Sequence, residues 1–102
     1  MTVKKRVSED LKSVSISIEG RFDFSLHKQF RDAYSSDNTN GTRFNLDLSK
    51  ATYMDSSALG MILLLKDHVE KLKGEVVVSN PSESVKKILE IAQIHKLMTI
   101  EG

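Results

Sequence analysis

The chain has no cysteine, one proline and five glycines among its 102 residues. Without cysteine there is no disulfide framework, no thiolate metal site and no thiol nucleophile, which fits a reducing compartment. The glycines are scattered, and Gly60 sits inside an apolar stretch instead of before one, so no phosphate-cradling loop is present. Long apolar runs are missing too: no segment reaches the roughly 18 residues of a membrane helix, and the opening MTVKKRVSED has no hydrophobic h-region. Charge of one sign is not in excess, since the formal net charge is +1, and that gives no electrostatic pull toward nucleic acid. These absences lead to the expectation of a cytoplasmic protein with no membrane or nucleic-acid partner and no cofactor. At 39% hydrophobic and 28% charged residues the chain has the composition of a soluble globular protein, and its length suits one domain over residues 1–102.

Hydrophobic spacing supplies the elements. Val14, Ile16 and Ile18 alternate with serines, as in a strand with one buried face, and Gly20 is expected to end it. Val3 to Ser8 is expected to pair with it through a hairpin turn at Glu9 to Lys12. Ser25 is placed as the cap of a helix carrying Leu26, Phe30, Ala33 and Tyr34 on one stripe, followed by a polar loop from Ser35 to Thr42. Phe44, Leu46 and Leu48 mark a further strand, and Glu75 to Ser79 reads as a central strand buried on both faces. Between them a helix is expected from Asp55 or Ser56 to about Lys73, closed by Gly74 as a C-terminal glycine. Pro81 and Ser82 open a last helix with Val85, Ile88, Leu89 and Ala92 on one face, and Leu97 to Ile100 forms a final strand. Strands alternating with helices imply parallel neighbours, hence an α/β domain with a mixed sheet of four to five strands and three to four helices.

Several chemistries can be weighed against these elements. His27, His68 and His95 lack a second histidine at ligand spacing and read as exposed helix residues. Asp23, Asp47 and Asp55 could gather at strand ends and hold a divalent ion, yet cap and turn roles account for them without one. A serine hydrolase using Ser56 or Ser57 with His68 or His95 would lack the G-x-S-x-G elbow. The stretch YMDSSALG is the most informative. Asp55, Ser56 and Ser57 all carry oxygens able to cap a helix, and one cap suffices, so at least one hydroxyl is left exposed where the helix dipole favours an added anion. Behind them Ala58, Met61, Ile62, Leu65, Val69 and Leu72 form the core stripe of the helix. Leu59 and Leu63 fall outside it on one flank and Leu64 on the other, either covered by neighbouring helices or free to dock a partner.

These residues resemble the STAS domain family, and within it the small bacterial anti-sigma factor antagonists. The likeness rests on SVSISIEG followed by RFDFS, on FNLDLSKATYMDSSALG, and on EVVVSNPSESVKKILEIAQIHKLMTI, so it covers nearly the whole chain. MDSSALG is the most specific part. The resemblance implies a binding switch and not an enzyme. Ser56 would be the phosphoacceptor, with Ser57 as its less favoured substitute, and Asp23, Asp55, Ser56, Ser57, Leu59 and Leu63 would form the partner-binding surface. The implied partners are a serine kinase or anti-sigma factor of the histidine-kinase-like ATPase fold and a PP2C-type phosphatase, with the protein itself a monomer or weak dimer. A second role within the same fold is an accessory subunit of a lipid-transport ABC system. Two departures from the family pattern bear on partner choice: Ala58 stands where many members have glycine, and Arg21 where many have glutamate.

Overall fold

The computed structural model describes residues 2–10, 12–35 and 39–102; the expected hairpin tip at Leu11 and the middle of the polar loop, residues 36–38, lie outside them. The elements in order are β1 (Thr2–Val7), β2 (Ser13–Phe22), a 3-10 turn (Phe24–Leu26), α1 (His27–Ser35), β3 (Arg43–Asp47), β4 (Ala51–Met54), α2 (Ser56–Lys71), β5 (Glu75–Ser79), α3 (Glu83–Ile91), a second 3-10 turn (Ile94–Lys96) and β6 (Thr99–Glu101). The sheet runs β1-β2-β3-β5-β6, with β4 attached to the far half of β2. β1 is antiparallel to β2, and all other pairs are parallel. Over the described residues the fold is therefore a small α/β domain with a mixed six-stranded sheet and three helices.

Alternation along the strands decides which face packs. Val14, Ile16 and Ile18 on β2, Phe44 and Leu46 on β3, and Val76 and Val78 on β5 all point into one hydrophobic cluster. The helices complete it with Phe30 and Tyr34 from α1, Met61, Ile62, Leu65 and Val69 from α2, and Val85 and Leu89 from α3. Each such fully buried side chain contributes about 1.5–3 kcal/mol relative to exposure. Val77, between Val76 and Val78, is buried as well, as expected of a central strand. The stripe read from α2 holds, with Leu72 at its end only partly buried.

Three local expectations are corrected, and β4 is a sixth strand beyond the four to five expected. Gly20 does not end β2: at φ +87° it sits at a register shift, and the strand continues to Phe22 while its partner changes from β3 to β4. A positive φ is accessible to glycine without strain, so the long strand can bend there and serve two neighbours. β4 itself gives no clean strand signal, because its four residues alternate poorly: Ala51 and Met54 are buried while Thr52 and Tyr53 are exposed. It becomes a strand only because the second half of β2 offers it a ladder. The start of α1 is not capped by Ser25, since Asp23 caps the 3-10 turn that leads into it. At the end of α2, the left-handed residue is Lys73 (φ 57°) and not Gly74. The N–H groups of Gly74 and Lys73 donate to the carbonyls of Val69 and Glu70, both at 3.0 Å, the paired closure of a Schellman motif. Gly74 is needed for a different reason: a Cβ there would lie 2.0 Å from the Thr42 carbonyl oxygen.

Candidate functional site

The parallel register of β2 and β4 brings two strand-to-helix junctions side by side. Arg21 lies opposite Tyr53 and Phe22 opposite Met54, so Asp23 and Asp55 emerge at the same end of the sheet. Each aspartate opens a helical segment with its side chain. At the first junction Asp23 Oδ1 accepts the Ser25 N–H at 2.9 Å and the Ser25 hydroxyl. At the second, Asp55 Oδ1 accepts the Ala58 N–H at 3.1 Å and the Ser57 hydroxyl at 2.6 Å. The Ser57 hydroxyl bond, joined by the N–H donors, holds the Asp55 carboxyl below its ordinary range against partial burial and the opposing charge of Asp23. Asp23 is lowered in the same way, chiefly by the Ser25 hydroxyl and N–H and further by Arg21.

This network separates the two serines that local sequence leaves equivalent. Ser57 is committed to Asp55 and half-buried, whereas Ser56 occupies the first helical position with its side chain exposed. Beside it lies an open groove of about 470 Å³, lined by Tyr53, Met54, Asp55, Ser56 and Leu59 on one side and by Ile88, Ile91 and Ala92 of α3 on the other. α3 is anchored there by Ser82, whose hydroxyl donates to the Ala51 carbonyl at 3.0 Å instead of capping its own helix. The groove is mainly apolar, and two of its large hydrophobic residues are exposed: Tyr53 at 41% and Ile91 at 84%. Next to it, the Arg21 guanidinium lies 4.4 Å from the centre of the Tyr53 ring and its Nε 3.6 Å from Asp23 Oδ2.

The residues expected to form one surface are brought together only in part. Asp23, Asp55, Ser56 and Ser57 converge, and Leu59 lines the groove while packing partly on the core. Leu63, 40% exposed, lies one turn farther along α2 and outside the groove lining. Leu64 is on the opposite flank, in a cleft against His27, Phe30 and Tyr34 of the first helical segment. Sequence reasoning missed Tyr53 and Ile91. Ile91 was detectable, because at 100° per residue it falls about 60° outside the stripe of α3 at its Ile88 edge. Tyr53 was not, because its exposure depends on β4 being a strand.

Other chemistries lose support from the same geometry. His68 lies 12 residues along α2 from Ser56, about 18 Å at the helical rise, and packs on the Tyr34 and Phe44 rings. His95 borders a separate pocket with Lys86, Glu90 and Ile100, and among the described residues no histidine lines the groove at Ser56. Asp47 turns away to accept the Ser49 N–H at 2.9 Å, and among the described residues no three His, Cys, Asp or Glu side chains form a group able to hold a metal ion. Among the same residues no helix is long and apolar enough to cross a membrane.

The chain resembles known proteins over nearly its whole length. It is 43% identical over 100 residues to a STAS-domain containing protein of Pseudomonas aeruginosa strain UCBPP-PA14, covering 98% of this chain and 99% of that one. Its fold matches the anti-sigma factor antagonist SpoIIAA in its unphosphorylated form, with a TM-score of 0.82 at 21% identity over 97% of this chain and 87% of that one. It also matches a sulfate transporter family protein of Wolinella succinogenes, with a TM-score of 0.79 at 15% identity over 95% and 80% of the two chains. The STAS domain family model matches residues 2–102, and the chain belongs to that family.

Proposed function

We propose that this STAS domain is a phosphorylation-controlled binding switch of the anti-sigma factor antagonist kind, with Ser56 as the phosphoacceptor. The observation that carries this reading is the division of labour between the two serines: Ser57 serves the helix cap, and Ser56 presents a hydroxyl to solvent at the rim of an apolar groove. A kinase can reach such a hydroxyl without unfolding the cap. The unmodified protein binds its partner over the groove and the first turns of α2, with Asp23 and Asp55 at the rim and Leu59 in the wall. Phosphate at Ser56 adds about −1.5 to −2 charge units beside Tyr53 and Leu59, which raises the desolvation penalty of docking and releases the partner. SpoIIAA, similar in fold, has been solved in a phosphorylated form as well. The partners that fit are a serine kinase or anti-sigma factor of the histidine-kinase-like ATPase fold and, for reversal, a PP2C-type phosphatase. The protein acts by binding and carries out no catalysis of its own, inside the cytoplasm.

Intact mass and phosphosite mapping of protein isolated from its native cells test the reading directly. Ser56 phosphate in a fraction of the molecules is the expected result, and an unmodified Ser56 under all growth conditions would sink it. In capture experiments Ser56→Ala should retain the kinase partner and Ser56→Asp should lose at least tenfold in affinity, the effect of about 1.4 kcal/mol. A second reading, an accessory subunit of a transport system, draws on the fold match to the sulfate transporter family protein. It predicts a stable complex with a transporter component that is indifferent to both substitutions.

A further inference from the structure

We propose that Arg21 is the internal receptor of the phosphate on Ser56, exchanging Asp23 and the Tyr53 ring for the phosphate when the serine is modified. The inference rests on the reading of Ser56 as the phosphoacceptor and adds a device that links the new charge to the groove wall. Because β2 and β4 are parallel and Arg21 is level with Tyr53, the end of the sheet that carries Asp23 is also the end that carries Ser56. The guanidinium leans toward that end: it covers the Tyr53 ring at 4.4 Å and reaches Asp23 with Nε at 3.6 Å. Tyr53 and Ser56 line the same groove.

Reach permits the exchange. Ser56 is three residues beyond Tyr53, at most ~10 Å of extended chain, and β2 and β4 are neighbours at ~4.8 Å. With the chain continuing along the strand direction, perpendicular to that spacing, the two Cα atoms lie about 11 Å apart, within the ~12 Å that an extended arginine and a phosphoserine span together from standard bond lengths. Neither present contact holds Arg21 firmly. Its side chain is 59% exposed, and an exposed ion pair of this length is readily exchanged. Charge gives the direction. Two carboxylates and one guanidinium meet at the junction before modification, and phosphate deepens the negative excess. A planar fork of N–H donors matches phosphate oxygens two at a time. The remaining groove residues offer no rival cation, since among the described residues Asp55 and Tyr53 are the only ionisable side chains in its lining. As Arg21 leaves, the Tyr53 ring loses its cover, so modification alters the shape of the groove as well as its charge.

The test places phosphoserine at position 56 of the intact chain by stop-codon suppression, which makes it independent of any kinase. Phosphorus NMR titration then reads the second ionisation of the phosphate. The expected result is a value lower in the parent protein than in Arg21→Gln by about half a unit or more, with Arg21→Lys recovering part of the difference. Proton NMR should show the Arg21 Hδ signals shifted upfield by the Tyr53 ring in the unmodified protein and relaxed toward random-coil values after modification. Equal titration in the parent and the Arg21→Gln variant, including an equally lowered one that the helix terminus alone would produce, overturns the proposal, as do Hδ signals that ignore the phosphate. Matching thermal melts of the unmodified variants exclude a folding artefact. Failure of Ser56 modification in cells is a separate result, read by phosphosite mapping and not by this titration.

Discussion

The two junctions at the end of the sheet share one local design and present different things. Asp23-Phe24-Ser25 and Asp55-Ser56-Ser57 are both D-x-S, and in both the aspartate accepts the hydroxyl of the serine two residues on. In both, the middle residue is turned outward: Phe24 is 65% exposed, and Ser56 is exposed at the neighbouring strand's junction. A third D-x-S, Asp47-Leu48-Ser49, shows what the motif does where no helix follows at once. Its aspartate accepts the Ser49 N–H, and the middle residue, Leu48, is fully buried. The motif therefore sets a turn, and its place in the fold decides whether the central side chain enters the core or faces a partner.

Substitution of the two caps gives the largest expected differences. Asp55→Ala removes the acceptor for Ala58 N–H and Ser57 at the head of a 16-residue helix and should cost about 1–2 kcal/mol in urea unfolding. Asp23→Ala opens only a 3-10 turn before α1 and should cost about 0.5–1 kcal/mol. Equal losses would mean that the junctions are energetically alike and that helix length does not matter. Acid titration is the next test. Donors hold both carboxyls below the ordinary aspartate value, so their contribution is present above about pH 4 and disappears as pH falls through the lowered folded-state values. The double variant Asp23→Asn, Asp55→Asn should therefore lose stability less steeply below about pH 4 than the parent, when followed by circular dichroism. The smallest effect separates the serines: Ser57→Ala should cost about 0.5–1 kcal/mol, whereas Ser56→Ala should stay within about 0.5 kcal/mol of the parent. The reverse order would assign the cap to Ser56 and remove its availability for modification.

Much of the frame was legible in local spacing because a period of two or of 3.6 survives whatever the neighbours do. The buried faces of β2 and β3 and the core stripe of α2 follow from it, while the buried run Val76 to Val78 is legible as an unbroken apolar segment. Turn chemistry was less legible, since glycine and serine have several uses. Gly20 bends a strand it was expected to end, Gly74 makes room for the Thr42 carbonyl while Lys73 takes the left-handed position, and Ser82 ties α3 to Ala51. Of the candidate site, the four residues Asp23, Asp55, Ser56 and Ser57 were named from the sequence, while Leu63 was included though it lies outside the groove.

The sequence by itself determined which segments are amphipathic, that an acid and two hydroxyls begin α2, and that this pattern resembles the STAS family. Tertiary structure decided the rest by pairing distant segments. Only when β4 docks on the far half of β2 do Asp23 and Asp55 stand together, and only the packing of α3 against β4 makes a groove beside Ser56. The physical reason is that capping is a contact within four residues, which sequence displays, whereas exposure of a hydroxyl and the wall it faces depend on residues about 30 or more positions away.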